Sequence, residues 1–183
     1  LDGIHEIQKY CNTNSISELN PTFTEKKYAI SNDTPVYPVD VNDYNLRASY
    51  QTEKKIASYS SFAEKIKKDW SDSKKEFRYI NRTSFIHPDI PVRVDLSIVK
   101  SNFSEEYNYK GQKRYRSKRE YTIQSANVFN NVEKYEIEIE ILNDQVGIGT
   151  NFNTIENLSK IIRKAIIYVL SGLQNTNYPI SYN

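Results

Sequence analysis

From Tyr135 to Ile141 the chain reads Tyr-Glu-Ile-Glu-Ile-Glu-Ile. Strict alternation over seven residues, with branched side chains at every second position, predicts a β-strand with one apolar and one acidic face. Two earlier stretches alternate in the same way. Over 77–85, Phe77, Tyr79 and Phe85 fall on one side and Arg78, Ile80, Arg82 and Ser84 on the other. Over 92–100, Val94, Leu96 and Ile98 separate from Arg93, Asp95 and Ser97, and His87-Pro88-Asp89-Ile90-Pro91 between the two runs reads as a turn.

Helical spacing is clearest over 154–171, where Ile155, Leu158, Ile161, Ile162, Ala165, Ile166, Val169 and Leu170 share one wide face. Asn153 with Glu156 suits its N-terminal cap and Gly172 its C-terminal cap. So wide a stripe must lie on a sheet. A short amphipathic helix is expected over 1–11 (Leu1, Ile4, Ile7, Cys11), and another over 53–69 (Ile56, Tyr59, Ala63, Ile66) with lysines opposite. Residues 12–45, rich in Asn, Ser, Thr, Pro and Asp, predict turns around one or two short strands such as 27–30. Residues 45–50 predict a strand with Arg47 and Ser49 on one side, and 121–129 a strand leading into the acidic one. The reading is one domain over 1–173 and a linker over 174–183.

Composition narrows this picture. With 183 residues the chain supports one domain, or two small ones, and 15 Tyr and 7 Phe supply the bulk of a core despite a mean hydropathy of −0.71. A net charge of +2 gives no protein-wide attraction for nucleic acid, so any basic site is local. One cysteine excludes an internal disulfide framework or a multi-Cys metal cluster and fits a reducing compartment. No apolar run approaches membrane-spanning length, and the first residues have neither the basic start nor the apolar centre of a signal peptide.

Candidate chemistry centres on Glu136, Glu138 and Glu140. Same-side residues of a strand stand about 6.5–7 Å apart, so three carboxylates repel unless water, basic side chains or a cation faces them. Two readings follow: an amphipathic strand with its polar face in solvent, or a wall that binds a hard divalent cation. Neighbouring strands with apolar and charged faces suit a closed barrel with a polar interior and apolar sides packed outward on helices. Separately, Lys113-Arg114-Tyr115-Arg116-Ser117-Lys118-Arg119 interleaves cations with Tyr, a pattern suited to single-stranded nucleic acid or to a solvated hairpin. Its charge falls on both strand parities, so it is expected outside a lumen, guiding RNA toward its mouth.

The ordered runs Arg78-x-x-x-Arg82-x-Ser84-Phe85, Arg93-Val94-Asp95-Leu96-Ser97-Ile98-Val99-Lys100-Ser101 and Tyr135-Glu136-Ile137-Glu138-Ile139-Glu140 resemble the triphosphate tunnel metalloenzymes. More narrowly, they are similar to the RNA 5′-triphosphatase domain of mRNA-capping enzymes of large cytoplasmic DNA viruses, of the mimivirus and African swine fever virus kind. The likeness covers roughly residues 75–180.

The resemblance implies an α+β fold, an antiparallel eight-stranded tunnel with helices outside, that removes the γ-phosphate from nascent RNA with Mg²⁺ or Mn²⁺. It implies metal ligation by Glu138 and Glu140, with Glu136 the third acid of that strand. Asp95 and Ser97 would lie near the attacking water, and Arg78 and Arg82 on phosphate. Arg47, Arg93 and Lys100 are candidates for the phosphate role that relatives give to a basic residue where this chain has Ile80. Further implications are 5′-triphosphate RNA or nucleoside triphosphate as ligand, linkage to guanylyltransferase and methyltransferase domains, and a place in the host cytoplasm or the virion. A Glu-x-Glu strand that relatives carry near the N-terminus has no counterpart here. The expectation is that this chain starts downstream of it, or that the tunnel is inactive and only binds polyphosphate or RNA ends.

Overall fold

The computed structural model describes residues 2–182; Leu1, counted above on the first helix, and Asn183, in the tail, lie outside the described residues. The elements in chain order are α1 (Asp2–Thr13), β1 (Phe23–Tyr28), β2 (Ile30–Ser31), β3 (Thr34–Pro35), β4 (Val39–Val41), β5 (Leu46–Ala48) and β6 (Gln51–Ile56). They continue with α2 (Ser61–Lys68), β7 (Arg78–Ile86), β8 (Val92–Ser101), β9 (Ser104–Tyr109), β10 (Gln112–Ser117), α3 (Ile123–Ala126), β11 (Lys134–Ile141) and α4 (Ile155–Gln174). This is a mixed α+β chain with its strands in small antiparallel sheets. β1 pairs with β6, β2 with β3, β4 with β5 and β9 with β10, while β11, β8 and β7 form a three-stranded sheet in that order. Among the described residues the ladders stop at three strands, and none closes into an eight-stranded barrel.

Contacts group the chain into two compact units interleaved in sequence. One comprises Leu1–Val36, Tyr50–Tyr79 and Val99–Glu133. Its core is Tyr10, Phe77, Ile123, Ala126 and Val128, with Cys11, Leu19, Trp70 and Tyr79 packed against them. Aromatic bulk does most of this work, each buried large side chain contributing about 1.5–3 kcal/mol. Burial pushes the Tyr10 hydroxyl and the Cys11 thiol up from their ordinary values. Buried Asn102 ties the unit together: its Oδ1 accepts from Phe77 N at 2.8 Å and its Nδ2 donates to Lys118 O at 2.6 Å.

Several elements of this unit differ from the sequence reading. In place of one helix over 53–69, Gln51–Ile56 is a strand, with Glu53 opposite Lys26 and an ion pair of 2.6 Å between them. The helix begins only after Ser60, whose hydroxyl accepts from Ala63 N. The strand expected over 121–129 is replaced by α3, because Thr122 and Ser125 form a reciprocal capping box and Asn127 ends the turn at φ 51°.

The other unit comprises Tyr37–Ser49, Ile80–Ile98 and Lys134–Asn183. Here the alternation pays out as predicted: Val92, Val94, Ile139 and Ile141 pack with Ile161 and Ala165 of α4, Ile90 and Phe152. The charged residues of β8 and β11 therefore project from the opposite side of the sheet. Helix α4 departs from both expected caps, starting one residue later and ending beyond Gly172. Thr154, not Asn153, caps its start by accepting from Asn157 N; Gly172 lies inside it, and Asn175 at φ 53° ends it. In the tail, Gln174 bonds both the N–H and the carbonyl of Ile180, and Tyr182 N donates to Asp43 O at 2.7 Å.

Candidate functional site

β8 carries Arg93, Asp95 and Ser97 on one side by the two-residue period of a strand, and β11 does the same with Glu136, Glu138 and Glu140. With β8 between β7 and β11, the Arg82 guanidinium on β7 can reach both neighbours. Its Nε donates to Ser97 Oγ at 3.1 Å, its Nη1 to Asp95 Oδ2 at 3.1 Å and its Nη2 to Glu138 Oε2 at 2.5 Å. Arg93 makes a second bridge, with Nε 3.2 Å from Asp95 Oδ2 and Nη2 2.5 Å from Glu140 Oε2. Two guanidinium groups thus weave three carboxylates and a hydroxyl into one network.

Burial divides the network into a floor and a rim. Asp95 is 1 % exposed and Ser97 4 %, whereas Leu96 and Ile98, on the apolar side, are 43 % and 38 % exposed. The charged side is the covered one at this point of β8, the reverse of a sheet that turns its polar face to water. The Glu138 and Glu140 side chains keep 55 % of their exposure. A buried carboxylate persists only when paired, and Asp95 has both arginines; its Oδ1 stands 3.1 Å from Arg93 Nε yet accepts no hydrogen bond.

Three carboxylates against two guanidinium groups leave one surplus negative charge in the network. A metal centre needs more than that. Among the described residues no group of three or more His, Cys, Asp or Glu converges on a point, and Glu138 and Glu140 each spend an oxygen on an arginine. Mg²⁺ or Mn²⁺ is usually held by one or two carboxylates, with waters and phosphate oxygens completing about six ligands, so Glu138 and Glu140 are the residues that would hold such an ion once freed from Arg82 and Arg93.

Half-buried Glu136 shares a side of β11 with Glu138 and Glu140. Arg47 stands on the β4–β5 ladder opposite Asp40, which it grips with two bonds of 2.6 and 3.0 Å; that pairing holds the Asp40 carboxyl below its usual range. Arg78 and Lys100 belong to the first unit, where Lys100 Nζ donates to Phe129 O at 2.9 Å and lies 3.6 Å from Glu133. Lys113, Arg114 and Arg116 sit on β10, also in the first unit, with Lys118 and Arg119 following; Lys118 is paired with Glu120 at 2.8 Å, which raises the one and lowers the other.

Sequence reasoning passed over Tyr107 and Tyr109 of β9. The signal was present in Lys110-Gly111, a two-residue turn with both φ positive that fixes which tyrosines face which arginines. No protein-family model, curated protein or solved structure matches this chain. No helix among the described residues is long and apolar enough to cross a membrane.

Proposed function

We propose that this chain supplies the phosphate-gripping wall of an RNA 5′-triphosphatase of the tunnel type, with β7, β8 and β11 as three of its eight strands. The observation that carries the reading is the Arg82–Asp95–Arg93 bridge with Glu138 and Glu140 at its rim. Fork-shaped guanidinium groups are the usual clamp on phosphoryl oxygens, and donors fixed in advance stabilise the charge that develops during transfer. A covered polar face, with apolar Leu96 and Ile98 turned outward, is also the arrangement a polar-lined tunnel requires.

In this reading Asp95 is a positioning residue. Its burial and its two guanidinium partners suit it to aim Arg82 and Arg93, and Ser97 fixes the third edge of Arg82. Glu138 and Glu140 release their arginines when phosphate enters and become the acidic groups nearest to it. The Mg²⁺ or Mn²⁺ that the resemblance implies needs oxygen ligands beyond these two.

A second reading, a tunnel that binds polyphosphate or RNA ends without hydrolysis, is favoured by one observation: each exposed glutamate is already paired with an arginine. Release of labelled γ-phosphate from 5′-triphosphate RNA, with and without Mg²⁺, separates the two. The triphosphatase reading expects metal-dependent release that Arg82→Ala lowers at least about tenfold. Binding without release supports the second reading, and neither binding nor release removes both.

A further inference from the structure

The β9–β10 hairpin places rings and guanidinium groups on one face. In its register Arg114 is opposite Tyr107 and Arg116 opposite Glu105, so these four and Tyr109 share a side. Arg114 stacks over the Tyr109 ring, 4.8 Å from its centroid, and Arg116 over Tyr107 at 5.1 Å. Lys110 at the turn adds a third cation, its Nζ 5.4 Å from the centre of the Tyr109 ring. Tyr109, Arg114 and Arg116 are exposed and Tyr107 is half-buried.

Charge on this face is only partly answered. Residues 104–117 carry four basic side chains against Glu105 and Glu106. Glu105 holds Arg116 at 2.7 Å and Glu106 holds Lys113 on the opposite face at 3.0 Å. Arg114 pairs with no carboxylate among the described residues, and its partner is the ring. We infer that the Tyr107–Tyr109–Arg114–Arg116 face is a platform for single-stranded RNA, with unpaired bases stacking on Tyr109 and Tyr107 while Arg114 and Lys110 meet phosphates. Stacked rings select unpaired bases, because a duplex keeps its base faces to itself and offers only its backbone. The choice of RNA over DNA rests on the triphosphate reading above; the stacking platform does not.

The test is fluorescence anisotropy of the whole chain with an oligoadenylate of about ten nucleotides carrying a 5′-hydroxyl, roughly the span one such surface covers. With a 5′-hydroxyl the oligonucleotide offers no terminal phosphate to the Arg82 network, and the variants tested lie on the hairpin, so failure of the triphosphatase reading leaves this result untouched. Tyr109→Leu and Tyr107→Leu are expected to weaken binding by about fivefold to a hundredfold each, and Tyr109→Phe to keep it. Arg114→Gln is expected to lower the slope of log affinity against log salt by about 0.7. Circular dichroism of each variant checks the fold; where a leucine variant fails to fold, Arg114→Gln alone decides. Unchanged binding by folded leucine variants, an unchanged salt slope, or equal competition from duplex RNA or an acidic peptide overturns the proposal.

Discussion

Arg82 on β7 donates through Nη1 to Asp95 Oδ2 on β8, 3.1 Å away, and that carboxylate has only 2 % of its side-chain surface in contact with water. A charge so covered depends on its partners. Asp95→Asn removes the charge that aims both arginines while keeping the side chain's size. The expected loss is about 1–3 kcal/mol of stability, read as a lower urea midpoint. Stability equal to that of the parent chain argues against a paired buried carboxylate here.

Asn102 gives a second, independent test in the first unit. Asn102→Leu leaves Phe77 N–H and Lys118 C=O without their partner in a buried place, and each such loss costs about 1–3 kcal/mol. Thermal unfolding should shift down by several degrees, at about 2–4 °C per kcal/mol for a chain of this size.

The end of α4 is testable by opposite signs. Gly172 lies within the helix, and a Cβ added there meets nothing within 4 Å. Gly172→Ala is therefore expected to raise stability by about 0.5–1 kcal/mol, whereas Thr154→Ala removes the true N-terminal cap and lowers it by about 1 kcal/mol. A destabilising Gly172→Ala would return the helix end to Gly172.

Cys11 carries a pH prediction. Burial raises its thiol above the ordinary value, so less thiolate is present at neutral pH than in an unfolded chain. Iodoacetamide should alkylate it more slowly in the folded protein than in urea, with the folded rate rising toward higher pH. Equal rates in both states contradict the packing of Cys11 against the aromatic core.

What was legible in the sequence follows from where periodicity alone decides the structure. The alternating runs over 77–85, 92–100 and 135–141 became β7, β8 and β11, since one face of each has a clear apolar majority. Gln51–Ile56 offered no such contrast, because its charges fall on both parities and its strand state comes from the partner β1. Helix ends were misplaced for a different reason. With only five glycines, the chain uses Asn14, Asn32, Asn45, Asn127 and Asn175 for left-handed positions, a job usually given to glycine. For the site, alternation gathered Asp95, Ser97, Glu138 and Glu140 on one side of the sheet, yet which arginine meets which acid depends on strand order, which no single run contains.

Titration of inorganic tripolyphosphate into the parent chain and into Arg82→Gln by calorimetry tests the central claim most directly, because both functional readings require the Arg82 network to hold phosphate. The account predicts saturable, salt-sensitive binding that Arg82→Gln weakens at least about tenfold, the loss of a charge-assisted bond worth 1.5–3 kcal/mol. Equal affinity of the two proteins, or no binding to either, contradicts it.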